Sequence, residues 1–320
     1  MFHIFDVVCI GNAKIDAFLS IHEASAHLRL NKDTNELCIR SGEKIAVDRC
    51  DFVLGGNAAN VAVGLTRVGL SSAICAEIGD DEFSQKIIST LKKENVHIEL
   101  LKQSKEKPSS FSMILNFKNE RTIFSKHTQR NHDFSFDNLS TKWVYLTSLG
   151  EEWKNVYARV ADFVKQRKSL LAFNPGTLQI AAGFKSIENI LSITDILFVN
   201  KEEAIEIPNN KRNKDTIKQL LEQLQKLGPK IVVITDGENG SYTIDEKGEI
   251  FRQDTIPCKI VEKTGTGDAY STGFLAATLH GLSIREAMRW GALNSASVIE
   301  KVGAQAGLLH KNDMEKKLNG

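Results

Sequence analysis

The feature that most narrows the fold of this chain is a set of four short apolar runs in its second half, WVYLTS, LLAFN, DILFVN and KIVVIT, separated by helical or polar stretches. Alternation of this kind gives a mostly parallel sheet wrapped by helices. The opening run DVVCIG, which ends at Gly11, has the same pattern of a strand buried on both faces. Gly55-Gly56-Asn57 then opens a helix that runs to about Val68, with Val61, Leu65 and Val68 on one face and Gly69 as its stop. Residues 72–78 read as a strand, and residues 80–94 as a helix with acidic residues in its first turn. The last two long helices are predicted over residues 267–280 and 284–301.

Two stretches break this rhythm. Between residues 15 and 51 come short alternating pieces, IDAFLSI, ELCIR and KIAVD, around the polar NKDTNE, and these read as antiparallel strands with one solvated face. SFSMILNF and RTIFSK, joined by Lys118-Asn119-Glu120 as a hairpin loop, belong to the same small sheet. The expected organisation is a three-layer α/β/α core over residues 1–14, 54–106 and 128–320, with a β lid inserted as residues 15–53 and 107–127.

A chain of 320 residues buries roughly three quarters of its unfolded surface, so a sizeable core is available. Lys plus Arg number 41 and Asp plus Glu 40, and this balance argues against nucleic acid or an anionic membrane as partner. The five cysteines show no CxxC spacing, which fits reduced thiols and a cytoplasmic setting. The opening residues lack a signal-type pattern, and no segment approaches the roughly 18 apolar residues of a membrane span.

The chemistry is concentrated in Lys263-Thr264-Gly265-Thr266-Gly267-Asp268, which follows the short run KIVE, read as a strand, and enters an apolar helix. Two glycines let backbone approach a ligand closely, and amides at a helix start hold anions or developing charge. Asp268 is then either a first-turn acid or a base aimed at the same pocket. Asp16, just past the first strand, has a carboxylate able to hold two hydroxyls of a polyol, against the plain reading of a solvated strand residue. Gly55-Gly56-Asn57-Ala58-Ala59-Asn60 combines a tight turn with small residues that leave room for a ligand, although capping alone would explain Asn57. Asn200 and Glu203 close a buried run where they can orient a hydrated magnesium ion, and helix entry explains them nearly as well. Thr235 to Gly240 link two strands and form either a nucleotide wall or a plain hairpin. These residues recur at the C-terminal ends of predicted parallel strands, where open α/β sheets bind ligands.

With these residues in view, the chain resembles the ribokinase family, also called the PfkB carbohydrate kinase family, over nearly its whole length. A GG pair, an NxxE motif and a GAGD-type motif occur there in the order of Gly55-Gly56, Asn200 to Glu203 and Gly265-Thr266-Gly267-Asp268. The resemblance implies a ribokinase-like fold and Asp268 as catalytic base, with the amides of Gly265, Thr266 and Gly267 as anion hole. It also implies Asp16, Gly56 and Asn60 on the substrate, and Asn200 and Glu203 on phosphate and on magnesium, reached by Glu203 through water. Thr235, Gly237, Gly240, Asn294 and Gly303 match positions around ATP. Thr266 replaces the usual Ala, and Glu262-Lys263 stands where many relatives carry an Asp-Thr pair that helps bind potassium, so monovalent-cation activation stays open.

The expected activity is ATP-dependent phosphorylation of a hydroxyl on a small sugar. GGNAAN looks like sugar-kinase versions of its motif, whereas GNAKID is similar to nucleoside-kinase versions, so an adenosine-type nucleoside kinase is the alternative. A phosphate-bearing sugar would call for a basic lid residue such as Arg40, Lys126 or Arg130. A silent sugar-binding regulator on this fold is a third reading, opposed by retained Asp268. A dinucleotide dehydrogenase lacks its GxGxxG, a Walker ATPase its GxxxxGK[ST], and a zinc hydrolase its HExxH. Edges of the lid strands leave pairing into a homodimer open.

Overall fold

The structure, a computed structural model, describes residues 3–22, 25–31, 33–34, 36–118, 120–208 and 215–319. An eight-stranded sheet runs in the order Ile250–Gln253, Ser241–Ile244, Ile231–Thr235, Ile196–Asn200, Leu170–Phe173, Leu139–Leu146, His3–Ile10 and Ser72–Cys75. From Ile231–Thr235 to Ser72–Cys75 all neighbours are parallel, and Ser241–Ile244 and Ile250–Gln253 close one edge in antiparallel fashion. The four apolar runs of the second half are four adjacent strands of this sheet.

Those runs are apolar at every position because both faces are covered. Val7, Cys9, Trp143 and Tyr145 join one core with the helices Asn57–Arg67, Glu82–Lys93, Thr266–Leu279 and Ile284–Ile299. Val8, Ile10, Val144 and Leu146 join the other with Trp153–Arg167, Phe184–Leu191 and Ile217–Lys226. The expected three-layer α/β/α arrangement is therefore present. The helix Thr266–Leu279 is apolar around its circumference, as a helix packed on several sides must be. It lies against Ile284–Ile299 and Asn57–Arg67, which brings the early glycine turn beside the late one.

A second sheet of four strands has the order Glu120–Lys126, Phe111–Phe117, Lys14–Ser20 and Arg49–Gly55. Its strands come from the two stretches set apart in the sequence, with three differences. Lys14–Ser20 and Phe111–Phe117 run parallel rather than antiparallel. Glu36–Ile39 pairs with Leu28–Asn31 as a separate two-stranded sheet. Residues 44–48 form no strand: Ile45 packs on the small cluster of Ile21, Leu28, Leu115 and Phe117, and the strand proper begins at Arg49. In the expected loops, Asn119, Lys32 and Asn35 lie outside the described residues.

The run KIVE is not a strand either. The Val261 and Glu262 amides both donate to the Ile299 carbonyl, so this segment is fastened to the end of a helix instead of a sheet. Among the described residues no helix is long and apolar enough to cross a membrane.

Candidate active site

The site is assembled at the start of the helix Thr266–Leu279. Gly265 caps it with φ 79°, a left-handed conformation, and a Cβ there would lie 2.3 Å from the Ala304 Cβ. Only glycine meets both demands. Intrahelical bonding begins with the Ala269 amide on the Gly265 carbonyl at 2.9 Å, so the amides of Thr266, Gly267 and Asp268 precede the ladder as helix-start donors. At Gly267 a Cβ would meet nothing within 4 Å, which marks the open floor of the cradle. The Thr266 hydroxyl donates to the Lys263 carbonyl at 3.0 Å and so fixes the turn; an alanine there would leave out this bond.

Asp268 is buried beneath that floor. Its Oδ2 accepts the Asn60 side-chain amide at 2.8 Å, and its Oδ1 accepts that of Asn57 at 3.2 Å. Burial pushes the carboxyl up to about 7, against the pull of these two amides. A carboxylate poised near neutrality suits proton abstraction from an alcohol. Asn60 is itself fixed, since its Oδ1 accepts from Gln305 at 3.0 Å.

The early glycine turn supplies both asparagines. Gly56 caps the helix Asn57–Arg67 with φ 97°, and a Cβ there would approach the Asn12 carbonyl oxygen to 2.4 Å. Asn57 is not the cap: it is the first helical residue, and its side chain reaches Asp268 while its Oδ1 accepts from the Ser148 hydroxyl at 3.4 Å. Asp16 is buried against Gly55, with burial raising its carboxyl above the ordinary value. It is therefore not a solvated strand residue.

A cavity of about 230 Å³ lies over the cradle, lined by Asn57, Asn200, Glu203, Lys263, Gly267 and Asp268 among others. Asn200 and Glu203 cap each other: the Glu203 amide donates to Asn200 Oδ1 at 2.8 Å, and the Asn200 amide to Glu203 Oε2 at 2.9 Å. Helix entry and cavity wall are thus one arrangement. Burial raises the Glu203 carboxyl, so a cation nearby would favour its charged form. A second cavity of about 390 Å³ adjoins, sharing Thr235, Lys263, Thr266 and Gly267, and adding Gly237, Gly240, Tyr270 and apolar Ile256, Pro257 and Ile299. Its apolar walls and the residues it shares with the cradle cavity fit a flat aromatic base with a polyanionic tail.

The expected substrate residues Asp16, Gly56 and Asn60 line neither cavity, Asn60 reaching the cradle through Asp268, and two further expected residues stand elsewhere. Asn294 lines neither cavity; its amide donates to the Ala269 carbonyl at 2.8 Å and its Oδ1 accepts from Leu309 at 3.0 Å, joining the helices behind the site. Gly303 also lines neither; a Cβ there would touch Val53 and Phe18 of the four-stranded sheet at 3.5 and 3.9 Å. Of the basic residues considered for a phosphate-bearing substrate, Arg130 is buried and donates to the Pro108 carbonyl, and Arg40 and Lys126 line neither cavity. The basic residues that do line the cradle cavity include Lys263 and Arg121. Arg121 Nη1 reaches Glu262 Oε1 at 3.1 Å and the Thr264 hydroxyl at 2.6 Å, which ties the four-stranded sheet to the segment before the cradle. Asn174, at the end of its strand, also lines the cavity, where the strand-end rule would have found it.

The family model that matches is that of the pfkB family carbohydrate kinases, and it covers residues 7–312. The chain belongs to this family. Members similar to it include a nucleoside kinase of Methanocaldococcus jannaschii, 27% identical over 311 residues that make up 94% of this chain and 93% of the relative. A 5-dehydro-2-deoxygluconokinase of Clostridium perfringens is 25% identical over 316 residues, 92% of this chain and 87% of the relative. Among solved structures, the ribokinase of Arabidopsis thaliana complexed with ribose and ATP superposes with a TM-score of 0.82 at 21% identity, covering 99% of this chain and all, 100%, of that one. The M. jannaschii nucleoside kinase structure gives a TM-score of 0.80 at 22% identity, covering 98% and 97%. These superpositions identify the ribokinase-like fold, and membership of the family makes the chain a phosphotransferase with an alcohol acceptor.

Proposed function

We propose that this chain transfers the γ-phosphoryl group of ATP to a hydroxyl of a small sugar, with Asp268 as general base. The observation that carries the proposal is the meeting of Asp268, held by Asn57 and Asn60, with the helix-start amides of Thr266 and Gly267 at one cavity. Asp16 and Asn60 orient the acceptor hydroxyl, Asp268 takes its proton, and the oxygen attacks the γ-phosphorus in line as the bond to the bridging oxygen breaks and ADP leaves, while the amides hold the charge that develops.

The adjoining cavity of Gly237, Gly240 and Tyr270 takes the nucleoside part of ATP. Among the described residues no group of three or more His, Cys, Asp or Glu is placed to hold a metal. Glu203 and Asn200 suit magnesium bound mainly to phosphate and water, where it would neutralise phosphate charge. We read residues 15–53 and 107–127 as a lid, because Arg121 carries that sheet to the cradle. The sheet ends in Glu120–Lys126 and Arg49–Gly55, edges available to a second copy. The five free thiols suit the cytoplasm, where ATP is at hand.

A nucleoside acceptor is the second reading, favoured by the M. jannaschii relative. ADP release across a panel of sugars and nucleosides tests both. Turnover with a sugar supports the first, and turnover confined to nucleosides supports the second. Binding without ADP release from any compound would replace both with a silent sugar-binding regulator.

A further inference from the structure

One face of the four-stranded sheet carries a row of polar groups to which the reaction above assigns only Asp16. Lys14 and Asp16 are two residues apart on one strand and so share a face. Asp16 pairs with Ser112 and Ser112 with Ser125, while His127 lies two residues beyond Ser125. The contacts follow this register. Lys14 Nζ donates to the Ser112 hydroxyl at 2.7 Å, the Ser112 and Ser125 hydroxyls are 3.1 Å apart, and His127 Nε2 is 3.2 Å from the Ser125 hydroxyl.

The row is unbalanced. The Lys14 side chain is only 17% exposed, and its three N–H donors have that one hydrogen-bonded acceptor on this face. Asp16 Oδ1, at 3.8 Å, is beyond hydrogen-bond length and is buried with no partner of its own. The two therefore form a loose ion pair with no hydrogen bond between them. A desolvated ammonium with N–H donors to spare and a buried carboxylate oxygen short of a hydrogen bond leave room for a ligand that supplies both an acceptor and a hydroxyl. Ser125 and His127 are exposed, so the row has an open end. Hydroxyls of a neutral sugar both donate and accept, whereas an oxyanion only accepts; the ammonium offers donors alone, and the hydroxyls and imidazole beside it can turn an O–H or N–H toward the same acceptor.

We infer that Lys14, with Ser125 and His127, binds an oxyanion carried by the sugar, a carboxylate or a phosphate, and selects acidic sugars over neutral ones. This rests on the kinase reading for the place of the acceptor at Asp16. The test is calorimetric binding of a matched set, an aldose, its aldonic acid and its phosphate ester, to wild type, Lys14→Met and Lys14→Arg, with ADP release recorded in parallel. Wild type is expected to bind the acid or the ester at least roughly tenfold more tightly than the aldose. That ratio collapses in Lys14→Met and survives in Lys14→Arg; the two anionic arms tell which oxyanion is read. Equal binding of all three compounds by wild type overturns the inference even should Lys14→Met fail to fold, and so does a preference that persists in Lys14→Met. ADP release from the aldose without any preference contradicts this inference alone. A Lys14-dependent preference without ADP release contradicts the kinase reading alone.

Discussion

The Asn60 side-chain amide donates to Asp268 at 2.8 Å across 208 residues of chain, so the early glycine turn holds the carboxylate that the late one presents. This bond favours the ionised form, while burial opposes it with the larger effect.

The acid limb of kcat/KM reports the outcome of that contest. With Asp268 at about 7, activity should fall about tenfold per pH unit below neutrality, because the base must be unprotonated. In Asn60→Leu the limb should move to higher pH, since a contact that lowers the pKa is lost. A limb that stays in place would mean that Asp268 is not the titrating base.

The same titration affects stability. Asp268 binds its proton more tightly in the folded state, at about 7 against an ordinary 3.8. Stability is therefore lost as pH rises through this window and the loss is complete above it. Asp268→Asn removes the titration, so the Tm of the variant minus that of wild type should increase between about pH 4 and pH 8. A constant difference would contradict the assignment.

Much of this arrangement was legible in the sequence, for stated physical reasons. Strands buried on both faces, such as those holding Val7 and Val8, are apolar at every position and stand out. Gly265 and Gly56 were legible because their positive φ admits little else. Residues 44–48 were misread because the alternation of Ile45 and Val47 does not reveal whether a ladder partner exists. KIVE was misread because its amides bond to a helix end nearly 40 residues later, at Ile299. Neither Asn57 nor Arg121 had a local signal: their partners are 211 and 141 residues away, and only the register of the four-stranded sheet and the packing of Thr266–Leu279 bring them together.

The two cradle glycines should separate folding from chemistry. Gly265→Ala places a methyl group 2.3 Å from Ala304 at positive φ and should cost about 1 to 3 kcal/mol, visible as a lower Tm. Gly267→Ala has nothing within 4 Å, so thermal unfolding should change little while ADP release falls roughly tenfold or more as the methyl fills the anion site. Full activity in Gly267→Ala would place the transferred phosphate elsewhere.

Arg121 supplies positive charge beside the buried Glu262 at 3.1 Å. Exchange of sodium for potassium should therefore change the wild-type rate less than about twofold, and Arg121→Ala should lower kcat/KM roughly tenfold because a buried carboxylate loses its cation. Strong potassium activation of wild type would show that the guanidinium does not fill this role.

The most direct test of the account is turnover in Asp268→Asn, measured as ADP release with the acceptor that the wild type uses, alongside calorimetric ATP binding. Turnover is predicted to fall by roughly two to four orders of magnitude with ATP affinity nearly unchanged. Wild-type turnover in this variant would contradict the assignment of Asp268 as the base and, with it, the mechanism built on the cradle.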